Sequence, residues 1–391
     1  MQRRHFLGAT PAALGAALGV PTSLHAATPP GVEPAPDISW SSSRAIAPMR
    51  ASVDRLVDIS VCTRPFRAQG PRIESEQRYG KTIVHHYGHG GSGWSLSWGS
   101  ARVAMGLVLL HRPRHLAVIG SGAIGLTTAR VAQRAGLRVR IYCKDRPPEV
   151  RSSAATGLWT PDSRICSSAA MSAGFAAQWE AMARSSFKTY QSLLGLPGEP
   201  VEWRDGYALS DTPFDQPLPP DDDGEPDYPD LSARLVDIHP KSQPLAAGEH
   251  PFCAPYARRL TTMTFNIASY QRLLMDDFLR EGGEIYTREF FHPREFGALR
   301  EAVVVNCTGY GARALLGDDS VIPVRGQTAR LVPQPEVNYL VAYRGHNLVA
   351  VPRRDGILVA TQEAHDFGNA ETGIDRGVSE RAVERLAALF A

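Results

Sequence analysis

Gly120-Ser121-Gly122-Ala123-Ile124-Gly125 has the residue types and spacing of a turn that receives a pyrophosphate. The first glycine allows a tight turn, the second lets backbone approach the phosphates, and the third lets a helix pack close to the sheet. The surroundings fit. Leu116-Ala117-Val118-Ile119 reads as a short buried strand, and Ile124 to Ala135 as a helix closed by Gly136. Such a helix aims its unpaired N–H groups and positive dipole end at the phosphates. After the next strand, Leu137–Cys143, come Lys144 and Asp145, where a carboxylate can accept ribose hydroxyls. This much serves NAD and FAD equally.

A second segment decides between them. Val303-Val304-Val305-Asn306-Cys307-Thr308-Gly309 is an apolar strand ending in Thr-Gly far downstream, similar to the second nucleotide-contacting strand of large FAD enzymes. The pair of motifs points to FAD. Upstream, Gly88 to Gly93 is a glycine-rich turn that opens the helical run Trp94–Leu110. Arg64, beside Pro65, offers a planar fork for a carboxylate.

Together these segments resemble the D-amino-acid oxidase family. Gly122 to Thr128 looks like its opening turn and helix, and Ser152-Ser153 with Ala155 to Pro161 looks like its flavin-contacting loop. Asn306 to Gly309 and Val324-Arg325-Gly326-Gln327 follow in the family's order. Two segments are out of order. Thr63-Arg64-Pro65-Phe66-Arg67, with Arg72-Ile73-Glu74, resembles the part supplying the substrate-carboxylate arginine. Tyr87 to Trp94, with Ser97-Trp98-Gly99, resembles the segment along the flavin ring. In the family both lie near the C-terminus; here they precede the nucleotide turn. The expectation is a circular permutation, joined at His111-Arg112-Pro113-Arg114, which closely placed termini and exposed loops make feasible.

The resemblance implies hydride transfer from an amino-acid Cα to flavin N5, with Arg64 fixing the carboxylate. It also implies backbone N–H groups around Gly91 facing the negative charge of the reduced ring. Cofactor contacts are expected from Gly120, Gly122, Ile124, Gly125, Lys144, Asp145, Ser152, Ser153, Gly157, Leu158, Trp159 and Phe290, and from Gly90, Gly91, Ser92, Gly93, Trp94 and Ser95. The family's lid tyrosine falls at Val349, before Ala350-Val351-Pro352, so Tyr343 and His346 become candidate substrate contacts. His86 and His89 are expected to be structural. An amine or imino-acid oxidase with another carboxylate substrate, or a flavin-binding protein without catalysis, remain alternatives.

The expected fold class is α/β: a Rossmann-type FAD-binding domain plus a mixed-sheet α+β substrate domain, both discontinuous. Residues 51–78, 166–255 and 326–391 would form the substrate domain, and 79–165 and 256–325 the FAD-binding domain. Further elements read as strands at Arg55–Val61, Lys81–Tyr87 and Gly356–Thr361, and as helices at Ala173–Leu194, Ser269–Arg280 and Ser379–Phe390. Thr212 to Asp230, rich in Pro and Asp, reads as a surface excursion.

The 391 residues, 43% apolar and 21% charged, suit two domains. A net charge of +2 argues against a nucleic-acid groove, and no apolar run is long enough to span a membrane. Arg3-Arg4-His5-Phe6-Leu7 before an Ala/Gly-rich run to Val20 resembles a twin-arginine signal, taken as 1–27, with a linker over 28–50. Export to the periplasm or medium by the twin-arginine machinery is expected, with molecular oxygen or another electron acceptor as co-substrate. Five cysteines leave a Cys166–Cys253 pair open, and no Cys/His cluster has metal-ligand spacing.

Overall fold

The computed structural model describes residues 46–218 and 224–390. The twin-arginine segment and most of the expected linker lie outside them. Strands numbered in chain order sort into two sheets. The larger has the order β1 (Leu56–Phe66), β11 (Ile322–Leu331), β14 (Gly356–Thr361), β13 (Leu348–Arg353), β12 (Tyr339–Tyr343), β6 (Val201–Ser210), β8 (Tyr256–Phe265), β7 (Gln243–Leu245). The smaller has the order β2 (Arg72–Arg78), β3 (Lys81–Tyr87), β10 (Val303–Asn306), β4 (His115–Ile119), β5 (Arg138–Cys143), β9 (Glu284–Thr287).

Five strands of the smaller sheet run parallel, with β2 antiparallel at its edge. Its parallel strands are apolar because both faces are covered. Val84, Leu116, Val118, Val303 and Val305 join the core formed with α1 (Gly93–Leu109), α2 (Ala123–Arg134), α3 (Phe175–Gln191) and α4 (Ile267–Arg280). Ile83, Ala117, Ile119 and Val304 face the other way, onto Phe296, Leu299 and Leu315, the last on α5 (Gly311–Leu316). This is the expected α/β nucleotide fold, with β10 inserted between β3 and β4. Ligands of such sheets bind beyond the carboxyl ends of the strands where the winding direction reverses. Both glycine turns and Thr308-Gly309 leave those ends here.

The larger sheet is antiparallel except between β12 and β6. One face packs α6 (Arg376–Ala388) through Ala329, Val341, Ala350, Val359, Val383 and Leu386. The opposite side chains of the central strands are short: by register Thr328, Ala360, Val349 and Ala342 form one row. Three expected boundaries fall differently. Arg72–Arg78 joins the smaller sheet through a tight hairpin with β3, whereas Tyr256–Phe265 and Ile322–Arg325 belong to the larger sheet through pairing with the distant β6 and β1.

The end of the expected linker is not loose. Met49 is buried, Gln334 donates to the Pro48 carbonyl at 2.8 Å, and Tyr339 Oη donates to the Ala47 carbonyl at 2.7 Å. Met49 shares its core cluster with Leu386 and Leu389, so both ends of the described chain meet. Cys166 is a buried free thiol, so the open Cys166–Cys253 pairing is not formed. Leu386→Ala, which empties a fully buried position in this cluster, should destabilise the fold by about 2–5 kcal/mol. Chemical denaturation would register this as a lower midpoint at an unchanged slope.

Candidate cofactor and substrate site

A cleft of about 870 Å³ opens where the two sheets face each other, lined by Gly120, Gly122, Gly90, Gly91, Trp94 and Arg64 among others. That volume is in the range of cofactor sites. The dinucleotide turn is built by close contact. A Cβ on Gly125 would lie 2.0 Å from the Gly120 carbonyl oxygen, so only glycine lets α2 begin where it does. Gly120 itself has φ +105° and N–H bonded to the Tyr142 carbonyl at 2.8 Å. Ser121 Oγ donates to the Asp145 carbonyl at 2.6 Å, and Ala123 N–H to Ser152 Oγ at 3.0 Å. The turn, the end of β5 and the Ser152 loop are thereby one piece.

Of the expected cofactor contacts, Gly120, Gly122, Ile124, Lys144, Asp145, Ser152 and Phe290 line the cleft, as do Gly90, Gly91, Gly93 and Trp94. The others stand behind it. Gly125 packs on Gly120; Ser153 donates to Gln271; Gly157 and Leu158 hold the loop against β8; Trp159 is buried, stacked on His239. Ser92 donates to the Ser163 carbonyl, and Ser95 Oγ accepts from Thr160 N–H. Sequence proximity to a motif did not separate wall from support.

The flavin-side turn corrects one expectation. Gly90 N–H donates to the Pro65 carbonyl at 2.9 Å, Gly91 N–H to the Ser163 carbonyl at 3.0 Å, and Ser92 N–H to the His89 carbonyl at 2.9 Å. The Gly91 donor is therefore already used. The first bond within α1 is made by Leu96 to Ser92, so the donors that precede it belong to Gly93, Trp94 and Ser95. The donors left for a bound anion are therefore those of the first turn of α1 rather than the Gly91 amide.

His89 supports a bound group in the cleft. It is 1% exposed, lines the cleft, and has no hydrogen-bond partner at either ring nitrogen among the described residues. A buried imidazole left so is costly, and a polar ligand atom would relieve it. Its neighbour His86 accepts from or donates to Thr128 Oγ1 at 2.9 Å, with the two rings 5.1 Å apart. Burial pushes both histidines down, His89 to about 3. The residues present therefore fit FAD: Gly120–Ala123 would hold its phosphates, Asp145 its ribose hydroxyls, and the first turn of α1 its flavin.

Arg64 reaches the same cleft from β1. Its guanidinium lies over Gly326, where a Cβ would be 2.6 Å from both terminal nitrogens. Nη1 donates to the Arg325 carbonyl at 3.0 Å and to Gln362 Oε1 at 3.4 Å. The Nε and Nη2 edge carries the remaining donors for a bidentate carboxylate. Arg151, missed in the sequence although it precedes Ser152, lines the cleft, donates to Thr63 Oγ1 and lies 5.3 Å over the Tyr310 ring.

Tyr343 and His346 are not among the residues lining the cleft. Tyr343 Oη donates to Asp211 at 2.6 Å, and His346 Nε2 lies 2.7 Å from the same carboxylate. These two bonds hold the Asp211 carboxyl below its ordinary range. Asp211 on the neighbouring connection, invisible as a partner in sequence, thus takes both candidate substrate contacts away from the site. Val349 sits in the row of short side chains, with no tyrosine in its place.

A family model described as FAD dependent oxidoreductase matches residues 115–391. A D-amino-acid oxidase of Streptomyces coelicolor is 31% identical over 283 residues, covering 71% of this chain and 78% of that protein. A D-amino-acid oxidase of Dictyostelium discoideum is 26% identical over 276 residues, 70% of this chain and 72% of that one. Among solved structures, an L-amino acid deaminase from Proteus vulgaris lacking its specific insertion is similar at a TM-score of 0.48 and 14% identity, over 71% of this chain and 75% of that chain.

Two outcomes test the site. Gly125→Val should abolish stoichiometric FAD, measured as flavin absorbance per polypeptide, because the Gly120 carbonyl blocks the side chain. The histidines supply a pH signature. Unfolded histidine takes up a proton near 6.5, whereas folded His89 does so only near 3. Stability is therefore full above 6.5 and falls with pH below it, by up to about 1.4 kcal/mol per unit for each such group. His89→Gln should flatten that fall in denaturation curves between pH of about 6.5 and 5; an unaltered slope would remove His89 as its source.

Proposed function

The chain belongs to the FAD dependent oxidoreductase family, and from that premise we propose that it oxidatively deaminates D-amino acids, with Arg64 holding the substrate carboxylate. The observation carrying this reading is that Arg64 and the dinucleotide turn line one cleft. When bound, FAD supplies a two-electron acceptor that takes hydride at N5. This chain's residues supply position and charge. Arg64 offers one free fork edge, which fixes a carboxylate and hence the hydrogen that faces the ring. With FAD bound, the Gly93–Ser95 donors at the start of α1 would stabilise negative charge gained by the flavin. No side-chain base is invoked, because a neutral amine gives up hydride directly. Oxygen or another acceptor then takes the electrons.

The circular permutation is part of the same proposal. The family match starts at His115, the first residue of β4, while Arg64 and the Gly88–Gly93 turn precede it. Only Leu110–Arg114 link α1 to β4, and Met49 shares a cluster with Leu389 at the other junction. Arg3-Arg4 and the run to Val20 support export through the twin-arginine machinery.

The purified flavoprotein, kept without oxygen, should be bleached by D-amino acids. A panel with L-amino acids and N-alkyl glycines sets the substrate class; bleaching by N-alkyl glycines alone would replace the D-amino-acid reading. Arg64→Ala should raise KM about 30-fold or more, from a lost pair of about 2–5 kcal/mol. Gly326→Ala, which displaces the guanidinium without emptying a core, should raise KM with little change in Tm.

A further inference from the structure

Besides the Arg325 carbonyl, a side-chain relay outside the segments singled out in the sequence orients the fork of Arg64. Gln362, just past the end of β14, faces Nη1 of Arg64 with Oε1 at 3.4 Å, and its Nε2 donates to Glu225 Oε1. Glu225 is in turn held by Arg164, whose Nε and Nη2 lie 3.3 Å from Oε1. Its side chain is only 10% exposed. The amide of Gln362 can face only one way here. Its oxygen meets a cation and its NH₂ an anion; the flipped amide would put donor against donor and acceptor against acceptor.

The stretch carrying Glu225 is pinned along its length. Ser168 N–H donates to the Asp227 carbonyl at 2.8 Å, and Tyr228 packs edge-on against Phe66, two residues beyond Arg64, at 5.7 Å. Arg164 lies 5.6 Å over the Tyr228 ring. The end of the Thr212–Asp230 excursion is therefore a wall beside the arginine strand rather than a solvated loop.

We propose that Gln362 is a positioning residue for the substrate arginine, and that Glu225, clamped by Arg164, holds it in that role. The proposal rests on Arg64 being the carboxylate anchor. Nη1 has two hydrogens, and the Arg325 carbonyl and Gln362 take both. That leaves the Nε/Nη2 edge as the one presented to a carboxylate, in a single rotamer. Without Gln362, only the Arg325 carbonyl orients the guanidinium, and part of the binding free energy goes into ordering the side chain.

The test is titration of the FAD-loaded protein with benzoate, an unreactive carboxylate, followed by its perturbation of the flavin absorption. Gln362→Met keeps the side chain's length and removes both polar atoms. It should weaken benzoate about ten-fold, as expected for a lost bond to a charged group, with FAD content and Tm as in the parent. Glu225→Gln keeps an acceptor for the Gln362 amide but loses the charge held by Arg164, and should weaken benzoate by a smaller factor. Parent-like benzoate affinity in both variants, while Arg64→Ala abolishes binding, overturns the positioning role and leaves the anchor standing. Equal benzoate affinity in the parent and in Arg64→Ala overturns both.

Discussion

One backbone hydrogen bond sets the relation between the two halves of the site: Gly90 N–H to the Pro65 carbonyl, 2.9 Å long. Pro65 follows Arg64 on the outermost strand of the larger sheet, and Gly90 lies in the turn that leaves the smaller sheet. The bond fixes the strand carrying the Arg64 guanidinium against the turn that opens α1. Its donor and acceptor are main-chain groups next to glycines and a proline, so no side-chain rotamer can loosen it. The Ser163 carbonyl reinforces the arrangement by accepting from Gly91 N–H and Ser92 Oγ. The cost is that these donors are unavailable to a ligand, which leaves the N–H groups of the first turn of α1, where Gly93 and Trp94 line the cleft.

The nucleotide half was legible in the sequence because its chemistry is local. Gly120, Gly122 and Gly125 act within one turn, and the apolar runs Leu116–Ile119 and Val303–Asn306 report burial on both faces. The substrate half was not. Strands β6, β8 and β11 pair chiefly with partners far away in sequence, β12 has the distant β6 on one side, and alternation alone placed none of the four. The same remoteness explains Tyr343 and His346: side chains of suitable type were in hand, but Asp211 claims both. Gln362 and Glu225 carry no signature at all, since their pairing is created only by the fold.

The family resemblance reached further than periodicity because it ignores chain order. It placed Arg64 and the Gly88–Gly93 turn in the cofactor cleft although both precede the dinucleotide motif. It could not say which matched residues form wall and which form support. Trp159 lies within a matched segment and Ser95 directly follows one, yet both brace the loop from behind.

The position of β10 bears on how the chain assembles during synthesis. β3 and β4, which deliver the two glycine turns, do not touch as neighbours; each pairs with β10, made only after five further strands have been synthesised. Closing the parallel sheet therefore awaits a contact of large sequence separation, which is slow to form. Until Val303–Asn306 slots in, both turns hang from unpaired strand edges and no cofactor can be gripped between them. A gripped flavin therefore requires β10 in place between β3 and β4, and without it each of those strands presents an unpaired edge open to another chain.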